Sequence, residues 1–364
     1  MYTHLRLFFT TALVVATCLF NAPANAAEPT QHESGGVAEG INDQEHKIEH
    51  NLEESEEKFD IGSMIMHHIA DSHEWEMTHG VTIPLPVILY SADRGIEVFS
   101  SSNFHNEHHE YNGYHLVHGE SEQIVPVDES RKIYDFSITK NVASMLLSAV
   151  ILILVFTSIA SWYKNNKGKA PKGFQSAMEV IILFIRDEVV KPNVGPKYEK
   201  YLPYLLTLFF FILINNILGL LPGSANLTGN IAVTMVLAVL TFIIVHLNAN
   251  GHYYKHLVKP TGVPAPLLLI MIPVEIVGVF MKPFSLMVRL FANITAGHII
   301  LLSLFGLIFI FQSFVIAPVI SLFALFLNFI EIMVAFIQAF IFTLLSSMYI
   351  GSAIEDNHDA DLGH

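Results

Sequence analysis

Residues 271–300 read MIPVEIVGVFMKPFSLMVRLFANITAGHII. In thirty positions the run carries Glu275, Lys282, Arg289 and His298 among side chains that are almost all apolar or small. It belongs to a longer region, 264–350, that forms two apolar stretches divided near residues 312–318. Uninterrupted apolar runs of about 20 residues are membrane-spanning helices. The first stretch is about 45 residues, longer than a perpendicular crossing needs. Such a helix must tilt strongly, kink (Pro273 and Pro283 are the candidates) or run partly along the membrane.

The five Asp, Glu, Lys, Arg or His side chains of 264–350 are Glu275, Lys282, Arg289, His298 and Glu331. A charge at mid-bilayer costs at least about 2.5–3.5 kcal/mol, so each is a functional candidate. Glu275, Lys282 and Arg289 are spaced by seven and share one slowly drifting helical stripe. Lys282 can snorkel toward an interface. Arg289 stays charged at any physiological pH and needs a partner carboxylate. On its own stripe the nearest is Glu275, two heptads away. The counter-charge then comes from another subunit, or else from Glu331 within the chain. On the last helix Glu331 and Gln338 are seven apart. Tyr349 follows eleven residues later, about 20° off the same line. A polar stripe of this kind lines an aqueous path or a subunit contact.

Working outward, residues 141–163, 202–221 and 230–247 are further spans. Lys164, Lys167, Lys169 and Lys172 follow the first; Lys191, Lys197 and Lys200 precede the second; His252, Lys255, His256 and Lys259 follow the third. All these basic loops fall on one side, the cytoplasmic one by the charge rule. Residues 174–190 are apolar over too short a run to cross and read as an in-plane or half-buried helix.

The chain has 364 residues and a net charge of −14, with 52% hydrophobic and 14% charged residues. The charge is unevenly spread: residues 27–135 hold 23 Asp/Glu against 5 Lys/Arg, and residues 136–364 hold 10 against 13. This split excludes an ordinary soluble enzyme, and nucleic-acid binding is not expected without a basic face. A single cysteine, Cys18, excludes a disulfide framework or a cysteine-based zinc site. Residues 1–26 read as a secretory signal, with an apolar run from Leu7 to Phe20 and Ala24-Asn25-Ala26 as a cleavage site. Residues 27–135 are then exported. Their first part, 27–57, has the composition of a disordered segment; VTIPLPVILY (81–90) and IEVFSS (96–101) have that of short strands. Twelve of 19 histidines fall in this segment, including His67-His68 and His105-x-x-His108-His109. They form either an imidazole metal site or a solvated acidic loop that titrates near neutral pH; without a clean ligand set, no metal or cofactor is expected. Residues 353–364 read as a solvated acidic cytoplasmic tail.

The fold class is therefore an all-α polytopic membrane protein with about five membrane helices plus one in-plane helix. The last two helices are long and strongly tilted. A small mixed or disordered exported segment precedes them. By domain, 1–26 is a signal peptide, 27–135 an acidic His-rich periplasmic extension, 136–352 the membrane domain and 353–364 the tail.

Ser285-Leu286-Met287-Val288-Arg289-Leu290-Phe291-Ala292-Asn293, with Ala296-Gly297, resembles the signature of subunit a of the F-type ATP synthase membrane sector. So does Gln338-Ala339-Phe340-Ile341-Phe342 with Tyr349. Gly173-Phe174-Gln175-Ser176-Ala177-Met178-Glu179 and Asn216-Ile217-Leu218-Gly219-Leu220-Leu221-Pro222 match the family's pattern as well. The resemblance implies a bacterial inner-membrane stator beside a ring of c subunits, working with subunit b of the peripheral stalk and the F1 sector in a lipid bilayer. It implies two proton half-channels and no catalysis by the subunit itself. Arg289 would face the ring carboxylate, with Asn293 and Gln338 as polar neighbours and His298 with Glu331 in the periplasmic half-channel. Glu275, Lys282, Asn230 and Tyr349 would be secondary polar positions. Many bacterial relatives place Glu nine residues after the arginine and His seven before the glutamine; here the two are exchanged. Because His298 lies nine residues from Arg289, about 180° around a helix, it is expected to face a rear cavity while Arg289 faces the ring. The alternative function is a metal-ion transporter with a His-rich loop, but its helices should carry paired His/Asp ligands at i, i+4, and Asp is missing from the spans.

Overall fold

A computed structural model describes residues 70–354 except 79–80, 107–108, 118–121, 129–130, 222–224, 259–264 and 312–315. Residues 1–26, read above as a signal, residues 27–57, His67, His68, His108 and the acidic stretch from Glu355 lie outside the described residues. Eight short strands precede a helical body: β1 Glu74–Thr78, β2 Val81–Pro84, β3 Pro86–Ser91, β4 Gly95–Ser100, β5 Glu110–Tyr111, β6 Tyr114–Val117, β7 Gln123–Pro126 and β8 Ile133–Asp135. The helices are α1 Lys140–Asn165, α2 Phe174–Phe184, α3 Lys191–Val194, α4 Tyr198–Gly219, α5 Ile231–Asn248, α6 Gly251–Val258, α7 Ala265–Phe311 and α8 Ile316–Ile354.

Five helical segments are long and apolar enough to cross a membrane: α1, the continuous run from α2 through α4, α5, α7 and α8. The first three spans agree with the hydropathy reading to within a few residues. α2 has no fully buried residue, as befits an interfacial helix. It does not stop at Val190, however. A wide π turn, Ile185–Val190, carries the chain on toward α4, and Ile185, Val189 and Val190 are buried in the main core. α7 has 47 residues and α8 has 39, about 70 Å and 58 Å at 1.5 Å per residue. Both exceed the roughly 30 Å hydrocarbon layer and must run obliquely. α7 passes through Pro273 and Pro283 without a break.

Small residues set how closely these helices approach. Ala335, Ala339, Ser346, Ser347, Gly351 and Ala353 of α8 are buried, the composition that lets membrane helices pack backbone to backbone. The tightest point is Gly351, where a Cβ would fall 1.8 Å from the Asn193 carbonyl oxygen. Polar links tie the same layer together. Asn216 Nδ2 of α4 donates to the Ala335 carbonyl of α8 at 3.2 Å, and the Tyr204 and Thr241 hydroxyls join α4 to α5 at 2.7 Å.

The extension contains a two-stranded hairpin, β1–β2, and two three-stranded antiparallel sheets ordered β4-β3-β8 and β5-β6-β7. Val87, Leu89, Phe104, Tyr114, Leu116 and Ile124 form its core. On β3 burial alternates, as a strand with one face in a core requires. The register pairs Ser91 with Gly95 across a three-residue loop. Gly95 takes φ +76° there, a conformation glycine adopts without steric cost. β2, β3 and β4 fall on the runs that sequence pattern marks as strands. β1, EWEMT, alternates Trp75 and Met77 with polar residues as a strand can, but it lies before the first run marked as a strand.

The extension is built onto α1. Asp71 Oδ1 accepts the Asn141 N–H at 3.0 Å and Oδ2 accepts the Thr139 hydroxyl at 2.8 Å. The Lys140 N–H donates to the Ser72 carbonyl at 2.8 Å. Thr139, the residue at the cap position, makes no side-chain cap bond. A carboxylate and a carbonyl from the extension thus each satisfy one orphan amide at the positive end of the first membrane helix. Beside it His73 is buried. Its N–H donates to Glu122 Oε2 at 2.8 Å, and its Nε2 lies 3.3 Å from Asp135 Oδ2. Burial opposes the charged ring, but its hydrogen bonding to the Asp135 and Glu122 carboxylates outweighs this and raises His73 to about 9.

Candidate functional site

α7 and α8 lie against each other and divide the candidate residues into two groups. In the first, His298 Nδ1 of α7 stands 3.7 Å from Glu331 Oε1 of α8. Glu331 is 7% exposed, so this is a buried acid beside an imidazole that can share its proton. The pair has room because residue 297 is glycine: a Cβ there would lie 2.9 Å from Glu331 Oε1. One turn earlier on α7 the Thr295 hydroxyl donates to the Gly229 carbonyl at 3.3 Å, which places the turn before α5 at this end of the site. Asn230 sits in that turn. Its side-chain oxygen accepts the Ala232 N–H at 2.9 Å, so the side chain caps α5.

The second group surrounds Arg289. Its guanidinium is half-buried and reaches Ser285 Oγ, one turn back, at 3.5 Å. Among the described residues no carboxylate pairs with it. The intramolecular Arg289–Glu331 pairing is thereby corrected: Glu331 is engaged by His298, because nine residues of helix turn the two α7 side chains to nearly opposite faces. Asn293, one turn beyond Arg289, is exposed. Arg289 also acts electrostatically on Tyr349 of α8, and the Lys282 ammonium lies 5.3 Å from the centre of the Tyr349 ring, a cation–π contact. Gln338, on the stripe between Glu331 and Tyr349, is 6% exposed. Glu275, farther along α7, is more open and lies 3.9 Å from His256 Nδ1 of α6.

Two features of the site escaped the sequence reading. Asn215 and Asn216 stand buried in the apolar α4, and adjacent amides in such a run were a signal to weigh. His246 of α5 meets α6, α7 and α8 around one small cavity, a grouping that only the tertiary packing shows. In the extension His105 Nε2 pairs with Glu74 Oε1 at 2.6 Å. Among the described residues no group of three or more His, Cys, Asp or Glu is placed to hold a metal ion.

An arginine held in a membrane-length helix without an internal carboxylate, and a buried His/Glu pair behind it, define a polytopic membrane protein of the ion-translocating class. Residues 142–351 match the family model described as ATP synthase A chain, and residues 64–144 match a domain of unknown function (DUF8433). ATP synthase subunit a of Chlorobium phaeobacteroides (strain DSM 266) is 40% identical over 97% of this chain and 94% of its own length. That of Chloroherpeton thalassium is 50% identical over 64% of this chain and 71% of its own. The protein belongs to the ATP synthase subunit a family.

Proposed function

We propose that the chain is the stator subunit of the Fo sector and forms two proton half-channels that meet at Arg289. Protons enter beside His298 and Glu331, neutralise a carboxylate on a ring of c subunits, and leave on the other side after the ring has turned. Asn293 and Gln338 flank Arg289. Glu275, Lys282 and Tyr349 line the exit side, and Asn230 shapes the entry side by fixing the start of α5. The observation that carries this reading is Arg289 itself, a permanent cation that no carboxylate among the described residues neutralises, while the buried acid Glu331 lies beside His298 at 3.7 Å. A fixed positive charge keeps a passing carboxylate ionised and repels a proton that would leak straight through. Each charge crossing is worth about 2.3 kcal/mol per 100 mV, which a leak would dissipate.

The subunit performs no bond chemistry of its own and works with the c-ring, subunit b and F1. Residues 1–26 act as a cleaved signal, 27–135 stand in the periplasm and 353–364 in the cytoplasm of a bacterium, with 136–352 in its inner membrane. The test is Arg289→Ala in inverted vesicles. ATP-driven proton pumping should vanish while the complex stays assembled; retained coupled pumping refutes the proposal.

A further inference from the structure

The last turn of α5 carries a base that the two groups above do not use. His246 Nδ1 lies 2.8 Å from the Phe242 carbonyl oxygen. A carbonyl can only accept, so Nδ1 bears the hydrogen and Nε2 of the neutral ring keeps its lone pair. Nε2 is buried and has no hydrogen-bond partner among the described residues. The ring is held in place by Phe242 (centroids 4.0 Å apart) and, edge-on, by Tyr253 of α6 at 5.9 Å. It lines a small cavity with Thr241, Tyr253, Lys282 and Tyr349. A buried acceptor without a partner is costly and persists where function requires it.

The cavity shares Lys282 and Tyr349 with the Arg289 group. Tyr349, on its wall, takes the Lys282 ammonium on its ring and feels the Arg289 charge. The titratable groups facing His246 are Tyr253 from α6, Lys282 from α7 and Tyr349 from α8. Tyr204 from α4 is engaged with Thr241. Among the described residues no carboxylate lines this cavity, so of its lining side chains the neutral imidazole is the one with a basic nitrogen lone pair turned into it.

Resting on the stator reading, we infer that His246 is a proton-relay residue on the exit half-channel. As a ring carboxyl gives up its proton near Arg289, the O–H bond breaks and an N–H bond forms at Nε2, through the Tyr349 hydroxyl or water. The imidazolium then releases the Nε2 proton toward α6, which carries Tyr253, and the neutral tautomer is restored with Nδ1–H still on the Phe242 carbonyl. During ATP-driven pumping the transfers run in reverse.

The experiment uses the whole complex in inverted vesicles, with His246→Phe, which keeps an aromatic ring in the stack, and His246→Gln, which keeps a polar group. Assembly is checked by co-purification with the c-ring. Both variants should lose pumping by about tenfold or more, the range for removal of a positioned acid–base group, and imidazole added to the medium should restore part of it. Wild-type pumping by either assembled variant overturns the relay, as does a loss that imidazole leaves unchanged, which marks packing. Arg289→Ala run beside them separates the cases: if it abolishes pumping while the His246 variants pump normally, the relay fails and the stator reading stands.

Discussion

Raising the pH should loosen the extension through one residue, His73. The ring is 2% exposed and sits between Glu122 and Asp135. Its titration is raised from 6.5 to about 9 in the folded chain. Protonation is thus favoured by folding: the stabilisation is fully present below about pH 6.5 and is lost as pH rises through about 9. At about 1.36 kcal/mol per unit, the shift is worth about 3 kcal/mol, or on the order of a hundredfold in the opened population. The folded extension also holds Asp135 below the usual carboxylate range. Burial opposes this, but the bonds from His73 and Ser137 prevail. That contribution is present above about pH 4 and is lost as the pH falls further. Hydrogen exchange of the core amides of Leu89, Leu116 and Ile124 in the full-length protein, corrected for intrinsic rates, measures the effect. Protection should be greatest near pH 5–6 and fall by about two decades toward pH 10. In His73→Gln it should be lower throughout and nearly flat between pH 6 and 10. A flat wild-type profile, or an equal slope in His73→Gln, refutes the reasoning.

Three further outcomes follow from the packing. Gly351→Ala places a methyl group against the Asn193 backbone. Backbone cannot yield as a side chain can, so the membrane domain should lose about 2–4 kcal/mol of stability, read as a lower melting temperature in detergent. Gly297→Ala presses only on the flexible end of Glu331 and should leave the fold intact while moving that carboxylate relative to His298. Proton pumping should fall and its pH optimum shift; an unchanged profile in an assembled complex would remove the pair from the path. Deleting 28–125 should leave passive proton conduction substantially intact, since the residues of both site groups lie on the helical body. Loss of conduction from a correctly assembled complex would give the extension a channel role.

What the sequence by itself determined is the set of spans and the identity of the charges within them. Both follow from bilayer thermodynamics acting on single helices. Twenty apolar residues make a span whatever surrounds them, and Arg289 is conspicuous because a permanent charge in such a run is expensive. Spacing alone also separated Arg289 from His298, since nine residues of helix fix their relative direction. Tertiary structure decided which acid each base meets. Glu331 could have answered Arg289 or His298; the crossing of α7 and α8, with the notch at Gly297, gives it to His298. Packing likewise gathered His246, Lys282 and Tyr349 from three helices 36 and more residues apart. It turned Asp71, one acid among many in a strongly charged segment, into the cap of the first membrane helix. The extension's acidity, which more than accounts for the net charge of −14, set it apart from the helical body. Its two sheets, and the bonds that join it to α1, arise from contacts between distant residues that no local pattern encodes.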